Sequence, residues 1–246
     1  MGYNESLTEG RNAVLEAFRS GKTVDRLFVL DGCQDGPVKT ILREAKKQDT
    51  MVQYVKKERL DQLSETKNHQ GVIAYCAACE YAEVSDILEN AKKKGEAPFI
   101  VLLDGIEDPH NLGAIIRTAN QAGAHGVIIP KRRAVGLTAT VARTSAGAVN
   151  YTPVAKVTNL VTVMEDLKKE GMWFVCADMD GEEMYSLNLK GPIGLVIGNE
   201  GEGVSRLVKE HCDMVASIPM KGDIDSLNAS VAMGVLAYEI VRQRRF

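Results

Sequence analysis

Residues 191–203 read GPIGLVIGNEGEG, and this stretch decides the fold prediction. Its apolar run, IGLVIG, has the composition of a buried strand and leads directly into a glycine-rich turn. Glycines so closely spaced indicate positive φ angles or a backbone pressed against a ligand. A strand followed by a glycine loop usually holds a phosphate, but Glu200 and Glu202 would repel one. The loop therefore fits a neutral or cationic ligand better.

Strands and helices alternate on both sides of this loop. Strands are predicted at residues 99–103, 127–129, 173–177, 193–197 and 214–218, and helices at 111–122 and 137–146. Continuous apolar strands between helices are typical of a parallel sheet covered on both faces. Ligands of such sheets bind at the carboxyl ends of the strands. Three unusual segments fall at that edge: DGIEDPHNLGAIIRT (104–118), GNEGEG (198–203) and PMKGDIDSLNASVA (219–232).

The first 76 residues predict a smaller α/β region. Helical spacing extends over 8–20 and 38–47, and strand-like runs occupy 26–30, 51–55 and 71–75. The segment 77–97 contains charged residues and a glycine, KKKG at 92–95, that are typical of a connector between domains. The spacing of its apolar residues indicates that part of it packs as a helix. We therefore predict a first domain at 1–76, a linker at 77–97 and a second domain at 98–246.

Composition limits the class of protein. With 246 residues, 45% hydrophobic and 26% charged, the chain is expected to be a soluble globular protein of one or two domains. Neither a leader sequence nor an apolar run of about 20 residues is evident, so the expected location is the cytoplasm, without a membrane partner. Five cysteines, an odd number, favour reduced thiols. A single CxxC at Cys76 and Cys79 predicts no metal site.

The net charge of -3 does not by itself indicate a nucleic-acid-binding protein. Two local basic clusters are candidates for phosphate contacts: Lys131, Arg132 and Arg133 in one, and Arg242, Arg244 and Arg245 in the other. Solvated surface charge explains each cluster equally well.

Two of the unusual segments carry polar residues beside apolar ones. Asn111 could cap a helix. Arg117 lies among apolar residues, where a charge usually has an oppositely charged partner. That partner is predicted to be either a substrate phosphate or a structural carboxylate. Three small polar residues, Ser226, Asn228 and Ser230, crowd the start of an apolar helix and exceed what a helix cap needs. The helix behind them is predicted to be core or a dimer face.

The segments NLGAIIRT, IGNEGEG and IPMKGDIDSLNASVA resemble, in order and spacing, the three motifs of the SpoU/TrmH RNA ribose 2′-O-methyltransferases of the SPOUT superfamily. This resemblance covers residues 98–246. The first region, with EGRNAVLEAF and NHQGVIA, resembles the L30e-like RNA-binding domain of bacterial enzymes that methylate a guanosine ribose in 23S rRNA.

The resemblance implies a C-terminal trefoil knot, a homodimer and S-adenosylmethionine as methyl donor. Backbone contacts to the donor are implied at Gly198, Ile218 and Leu227, with Ile197, Asn199, Gly201, Met220 and Ala232 completing its pocket. The positions that the family uses for catalysis are Asn111, Arg117, Glu200, Ser226, Asn228 and Ser230. Glu200 is expected to fix Arg117 or the loop. RNA contacts are predicted at Arg11, His69, Lys131, Arg132 and Arg133.

The function predicted in this way is ribose 2′-O-methylation of a guanosine in 23S rRNA. A tRNA substrate is the alternative within the family. A non-catalytic RNA-binding or ribosome-assembly protein is an alternative of another class. A nucleotide-dependent enzyme is disfavoured, because the chain contains no GxxxxGK[ST] and its acidic glycine loop is not GxGxxG.

Overall fold

The structure, a computed structural model, describes residues 6–223 and 226–245. Ile224 and Asp225 of the third motif lie outside the described residues. The chain divides into two compact units, one formed by the residues up to Glu80 with Gly136–Ala139, the other by Tyr81–Val135 and the residues from Thr140 onward. The division after Glu80 falls inside the predicted connector, whose limits stay a prediction.

The first unit is a four-stranded sheet with helices on both faces. Its strands are β1 (Ser6–Glu9), β2 (Val24–Leu30), β3 (Met51–Val55) and β4 (Val72–Cys76), in the order β1-β4-β2-β3. Only β2 and β3 pair in parallel. The helices are α1 (Arg11–Arg19), α2 (Gly36–Lys47) and α3 (Lys57–Leu63). Helices α1 and α2 fill the core on one face, and Leu60 of α3 fills the core on the other.

The first helix starts later than its sequence spacing predicts. Residues Ser6–Glu9 pair with β4 as a strand, and α1 begins only at Arg11. Gly10 separates the two elements with φ 88°, a left-handed conformation that favours glycine. The prediction that the helix begins at Thr8 is therefore wrong, because Thr8 belongs to a short strand and the helix begins at Arg11.

The second unit is a six-stranded sheet in which every neighbouring pair is parallel. Its strands are β5 (Phe99–Asp104), β6 (Gly126–Pro130), β7 (Val154–Val157), β8 (Trp173–Glu183), β9 (Ile193–Gly198) and β10 (Met214–Ser217), in the order β10-β8-β9-β5-β6-β7. The helices are α4 (Val84–Lys94), α5 (Pro109–Gln121), α6 (Ala139–Thr144), α7 (Leu160–Lys169), α8 (Arg206–Glu210) and α9 (Ala229–Arg245). The predicted parallel α/β fold is confirmed.

Both faces of this sheet are covered. Ile100 and Leu102 of β5 pack in one core with Ile87 of α4 and Met164 of α7. Phe99 points to the opposite face, because side chains alternate along a strand, and its ring lies 5.4 Å from the guanidinium of Arg244 in α9. The helical part of the predicted connector is thus confirmed as α4, and it packs in the core of the second unit.

The last turn of α9 is tied to the amino ends of two strands. Arg244 donates to the carbonyl oxygens of Ala97 (3.0 Å), Pro98 (2.9 Å) and Gly191 (2.7 Å). Burial lowers the pKa of this guanidinium. Arg242 forms a double hydrogen bond with Glu239. Arg242 and Arg244 are thus both engaged by protein groups, and phosphate contact by the C-terminal basic cluster stays a prediction.

The cysteines are free thiols, of which Cys76 and Cys176 are buried. Burial raises the pKa of the Cys79 thiol. Within residues 6–223 and 226–245, no three His, Cys, Asp or Glu side chains are grouped to hold a metal ion. None of the helices in this part of the chain has the length and apolar character that crossing a membrane requires.

Candidate active site

Three polar side chains from separate segments meet at the carboxyl edge of the parallel sheet. They are Asn111 of α5, Glu200 of the loop after β9, and Asn228 at the start of α9. The Nδ2 of Asn111 donates to Oε1 of Glu200 at 2.9 Å. The Nδ2 of Asn228 donates to Oδ1 of Asn111 at 3.0 Å and also to Oε1 of Glu200. We call these three residues the amide–carboxylate cluster.

Asn111 does not cap its helix. The cap of α5 is Asp108, whose Oδ1 accepts from the backbone N–H of His110 at 2.9 Å, with Pro109 opening the helix. Asn111 is the third helical residue and is only 8% exposed. The capping interpretation of Asn111 is therefore wrong, and its side chain serves the cluster.

Asn228 has two structural tasks at once. Its Oδ1 accepts from the backbone N–H of Ser230 at 2.9 Å and from its hydroxyl at 2.6 Å, which caps α9. Both of its amide hydrogens are used within the cluster. Asn111 keeps one N–H and Glu200 keeps Oε2 for another partner. Ser226 is exposed at the edge of the same segment.

The glycine loop is closed by Asn199. The backbones of Asn199 and Gly203 exchange hydrogen bonds of 3.0 and 2.8 Å. The side chain of Asn199 accepts from the N–H of Gly201 at 2.8 Å and donates to the carbonyl of Gly105 at 2.9 Å. A Cβ on Gly198 would overlap the backbone of Gly203. The requirement for glycine at 198 thus comes from the loop itself, which presents Glu200 at its tip.

Arg117 stands apart from the cluster. It lies six residues beyond Asn111 in α5, about 9 Å along the axis and on a different side of the helix. Its side chain is exposed and, within the described residues, has no ion-pair or hydrogen-bond partner. A structural carboxylate for Arg117 is therefore wrong, and of the two alternatives for Glu200, fixing the loop is the one that the structure shows. Glu200 ties its loop to α5 and α9.

The predicted donor-binding residues surround this edge. Ile197 and Gly198 end β9, Ile218 follows β10, and Ala232 lies in the first turn of α9. Met220 and Leu227 expose apolar side chains, 42% and 36% respectively. The glycine loop contains no Lys or Arg. Apolar side chains beside an acidic loop fit a ligand with an apolar ring and a positive charge.

A bulge in β8 was not predicted from sequence. Pairing with β10 passes from Cys176 directly to Glu182, which leaves residues 177–181 without strand partners and Met179 64% exposed. Asp178 holds the bulge, because it bonds Lys209 of α8 at 2.7 Å and the N–H of Asp180 at 3.0 Å. Burial would raise the pKa of Asp178, but these hydrogen bonds outweigh it and the pKa is lowered. The sequence signal was the DMDG run after the apolar strand.

Arg11 and His69, the residues of the first unit predicted to contact RNA, both form bonds with neighbouring loops. Arg11 forms an ion pair with Asp35 at 2.6 Å and donates to the carbonyl of Gln70 at 3.0 Å. His69 is 7% exposed, accepts at Nδ1 from the N–H of Gly71 and bonds Asp61 through Nε2, each at 3.0 Å. Both ring nitrogens of His69 are thus engaged by neighbouring loops, and RNA contact by Arg11 and His69 stays a prediction.

The basic segment after β6 lies at the same sheet edge as the cluster. Arg132 and Arg133 are exposed, Lys131 is half-buried, and Arg133 has φ 52°. The N–H of Val135 bonds the carbonyl of Ile106 at 3.0 Å, which fixes this segment to the loop after β5. RNA contact by the three basic residues stays a prediction.

Comparison with known sequence families adds an independent observation. Residues 98–238 match the SpoU rRNA Methylase family. The chain belongs to the SpoU methylase family. In this SpoU chain, residues 7–82 also match the family described as RNA 2'-O ribose methyltransferase substrate binding. The predicted family and the enzyme class, RNA methyltransferase, are confirmed.

Three relatives of this SpoU chain each cover 96% or more of it. The protein YacO of Bacillus subtilis strain 168, named for the TrmH family of tRNA/rRNA methyltransferases, is 49% identical over 99% of this chain and 98% of its own. The SpoU methyltransferase AviRb of Streptomyces viridochromogenes, solved with AdoMet, is 27% identical with a TM-score of 0.62, covering 98% and 91% of the two chains. An AdoMet-bound rRNA methyltransferase of Sinorhizobium meliloti is 25% identical with a TM-score of 0.60, covering 96% and 86%.

Proposed function

We propose that this enzyme transfers a methyl group from S-adenosylmethionine to the ribose 2′-oxygen of a guanosine in 23S rRNA. The amide–carboxylate cluster carries the proposal, since it unites the three family motifs at the ligand-binding edge of the sheet. Two findings support rRNA: residues 98–238 match the SpoU rRNA Methylase family, and the similarity to the S. meliloti rRNA methyltransferase extends over 96% of the chain.

S-Adenosylmethionine supplies a methyl group activated by bonding to a positively charged sulfur. The backbone of Gly198, Ile218 and Leu227 binds the adenosine, and the side chains of Met220 and Leu227 cover its apolar surface. Asn199 and Gly201 act through the shape of the loop. The knotted C-terminal strands implied by the family resemblance form part of this proposal.

The cluster orients the attacking hydroxyl. The free Oε2 of Glu200 accepts a hydrogen bond from the ribose 2′-hydroxyl, and the remaining N–H of Asn111 donates to the ribose. A bond from the ribose oxygen to the methyl carbon would form as the carbon–sulfur bond breaks, its electron pair would remain on the sulfur of neutral S-adenosylhomocysteine, and the hydroxyl proton would pass to water. Asn228 and Ser230 hold the start of α9 in place for this geometry, while the hydroxyl of Ser226 faces the incoming RNA.

Arg117 holds the neighbouring phosphate and stays protonated throughout, since a guanidinium does not readily lose a proton. Such a preorganised donor can contribute roughly 3 to 4 kcal/mol to the transition state. Because Arg117 faces away from its own cluster, we propose that it serves the site of a second copy. The exposed residues Val231 (49%) and Tyr238 (51%) form an apolar stripe on α9, beside α5, that supports a homodimer.

Methyl transfer from labelled S-adenosylmethionine to unmodified 23S rRNA, and separately to unmodified tRNA, tests the proposal. Nuclease mapping of the linkages protected by ribose methylation locates the product. A single 2′-O-methylated guanosine in rRNA is expected. Labelling of tRNA alone would replace the proposed substrate, and donor binding without transfer to either RNA would favour a non-catalytic RNA-binding protein.

A further inference from the structure

Helices α5 and α6 touch at a point close to the amide–carboxylate cluster. A Cβ built on Gly113 of α5 would lie 2.6 Å from Cβ of Thr144 and 3.0 Å from the carbonyl oxygen of Val141. Only glycine permits so close an approach. Gly113 is two residues beyond Asn111, and Nδ1 of His110 lies 3.5 Å from the hydroxyl of Thr144. We call this contact the α5–α6 junction.

Each helix carries an arginine beside the junction. Arg117 is one helical turn beyond Gly113 and therefore on the same side of α5. Arg143 directly precedes Thr144, is exposed, and donates to the neutral hydroxyl of Thr140 at 3.2 Å. Within residues 6–223 and 226–245, neither guanidinium is paired with a carboxylate. Two positive charges without a carboxylate partner thus lie on adjoining helices at the α5–α6 junction.

The chain after α6 is held in an unusual backbone shape. Ala146 has φ 50° and Gly147 has φ 87°. Ala146 is exposed, so packing of its side chain does not account for the left-handed conformation. Ser145 is fully buried and donates to the carbonyl of Ala142 at 2.8 Å. A left-handed residue is a common way to end a helix, and these contacts fix the end of α6, where Arg143 lies.

Negative charge limits where an anion can lie. Glu107 and Asp108 are exposed at the start of α5, and Asp108 already caps that helix. A phosphate therefore meets less repulsion on the α6 side of the junction, where Arg143 and Arg117 are found. Arginine suits this task because its planar group can donate two parallel hydrogen bonds to phosphate.

We propose that Arg143 binds a backbone phosphate of the RNA substrate, next to the phosphate held by Arg117, so that the RNA strand crosses the α5–α6 junction. This inference rests on the proposed function, because it requires RNA held by Arg117 for the site of a second copy. It assigns to α6 a direct part in substrate binding, and it makes Arg143 a residue that positions the RNA strand.

Arg143→Ala is the test, with Arg143→Lys and Lys169→Ala as matched variants. Lys169 is also exposed, but it ends α7 and therefore lies near the amino edge of the sheet, away from the cluster. Filter binding of labelled, unmodified 23S rRNA transcript is measured over a series of salt concentrations. The dissociation constant of S-adenosylmethionine is measured in parallel.

Loss of one phosphate contact should reduce the slope of log affinity against log salt by roughly 0.7 to 0.9 in Arg143→Ala, and weaken RNA binding about 5- to 10-fold. Arg143→Lys and Lys169→Ala should keep the wild-type slope, and donor affinity should not change. An unchanged slope in Arg143→Ala, or an equal fall in Lys169→Ala, would overturn the inference.

The wild-type methylation assay separates the two proposals. If the wild type methylates a ribose and Arg143→Ala binds RNA with the wild-type slope, only the role of Arg143 fails. If the wild type methylates no RNA while the slope falls in Arg143→Ala, the phosphate contact stands and the proposed reaction fails.

Discussion

Asn228 donates a hydrogen bond of 3.0 Å to Asn111, a residue 117 positions earlier in the chain. The side chain that caps α9 therefore also fixes the first turn of α5 and the tip of the glycine loop. Capping needs only an oxygen acceptor, whereas the cluster needs the amide hydrogens. Substitution can separate the two tasks.

Asn228→Ser should keep the cap and lose the cluster, because serine caps helices about as well as asparagine. We expect its free energy of unfolding to stay within about 0.5 kcal/mol of wild type while methyl transfer falls at least about tenfold. Asn228→Ala should lose both, with a stability loss of about 1 kcal/mol. Urea unfolding and methyl-transfer rates check both variants. Full activity in Asn228→Ser would show that the cluster does not orient substrate.

Arg117→Lys retains the positive charge but loses the planar, two-pronged donor. We expect kcat/KM for RNA to fall at least about tenfold, with donor affinity and stability unchanged because Arg117 has no partner within the described residues. Arg206→Lys, on a side chain 89% exposed, is the matched control. Near-wild-type turnover in Arg117→Lys would refute the phosphate clamp.

Gly113→Ala should open the α5–α6 junction. The added methyl group would lie 2.6 Å from Cβ of Thr144, and overpacking of this kind costs about 1 to 3 kcal/mol. Gly191→Ala is the control, since a Cβ at this position would have no atom within 4 Å beyond its own chain neighbours. Urea unfolding of both variants measures the difference, and equal stabilities would mean that α6 moves aside freely.

Stability should decrease in mild acid because of His125. This ring is fully buried, accepts from the N–H of Phe99 at Nδ1 (3.0 Å) and bonds Glu96 through Nε2 (3.0 Å). Burial lowers the pKa of His125, and the hydrogen bond to Glu96 offsets this only in part. The unfolded chain therefore takes up a proton near pH 6.5 that the folded state resists.

The stabilising effect of neutral His125 is consequently complete above about pH 6.5 and is lost as the pH falls below it. Urea unfolding at pH 7.5 and 5.5 measures the loss. Glu96→Gln should enlarge the difference, because the carboxylate raises the pKa of His125, whereas His125→Gln should reduce it. The nearby cations Lys94 and Arg244 act in the same direction as burial. A pH difference that His125→Gln leaves unchanged would assign the effect to other groups.

Val231→Glu should dissociate the proposed homodimer. Its side chain is 49% exposed on the apolar stripe of α9, so a carboxylate there would be desolvated in an interface but solvated in a monomer. Sedimentation equilibrium is expected to give a dimer for wild type and a monomer for the variant. Leu207→Glu, on an exposed residue of α8, is the control. A monomeric wild type would contradict the proposal.

Much of the second unit is predictable because its signals are local. The apolar runs at β5 and β9 are buried on both faces. Such strands are continuously apolar, whereas a strand with one face in solvent alternates apolar and polar residues, so the two kinds can be told apart from sequence. Because parallel strands place their carboxyl ends at one edge, the three motifs could be expected to converge there. Asn111, Glu200 and Asn228 do so.

Other features depend on contacts between distant residues. Asparagine is a common helix cap, and sequence alone allows Asn111 that role, but Asp108, three residues earlier, and Pro109 begin α5. Arg117 called for a carboxylate, but its long side chain reaches solvent despite its apolar neighbours. Burial of the His69 ring follows from packing across the first unit. The spacing of residues along the sequence does not show which distant residues a side chain will contact.

Helix α9 spans the sheet from one edge to the other, about 25 Å. Asn228 anchors its beginning within the amide–carboxylate cluster, and Arg244 anchors its end to three carbonyl oxygens on the far side. Helix α9 is therefore fixed by side-chain hydrogen bonds at both of its ends. Arg244→Ala, which removes the anchor at the far end, would therefore loosen the helix that carries Asn228.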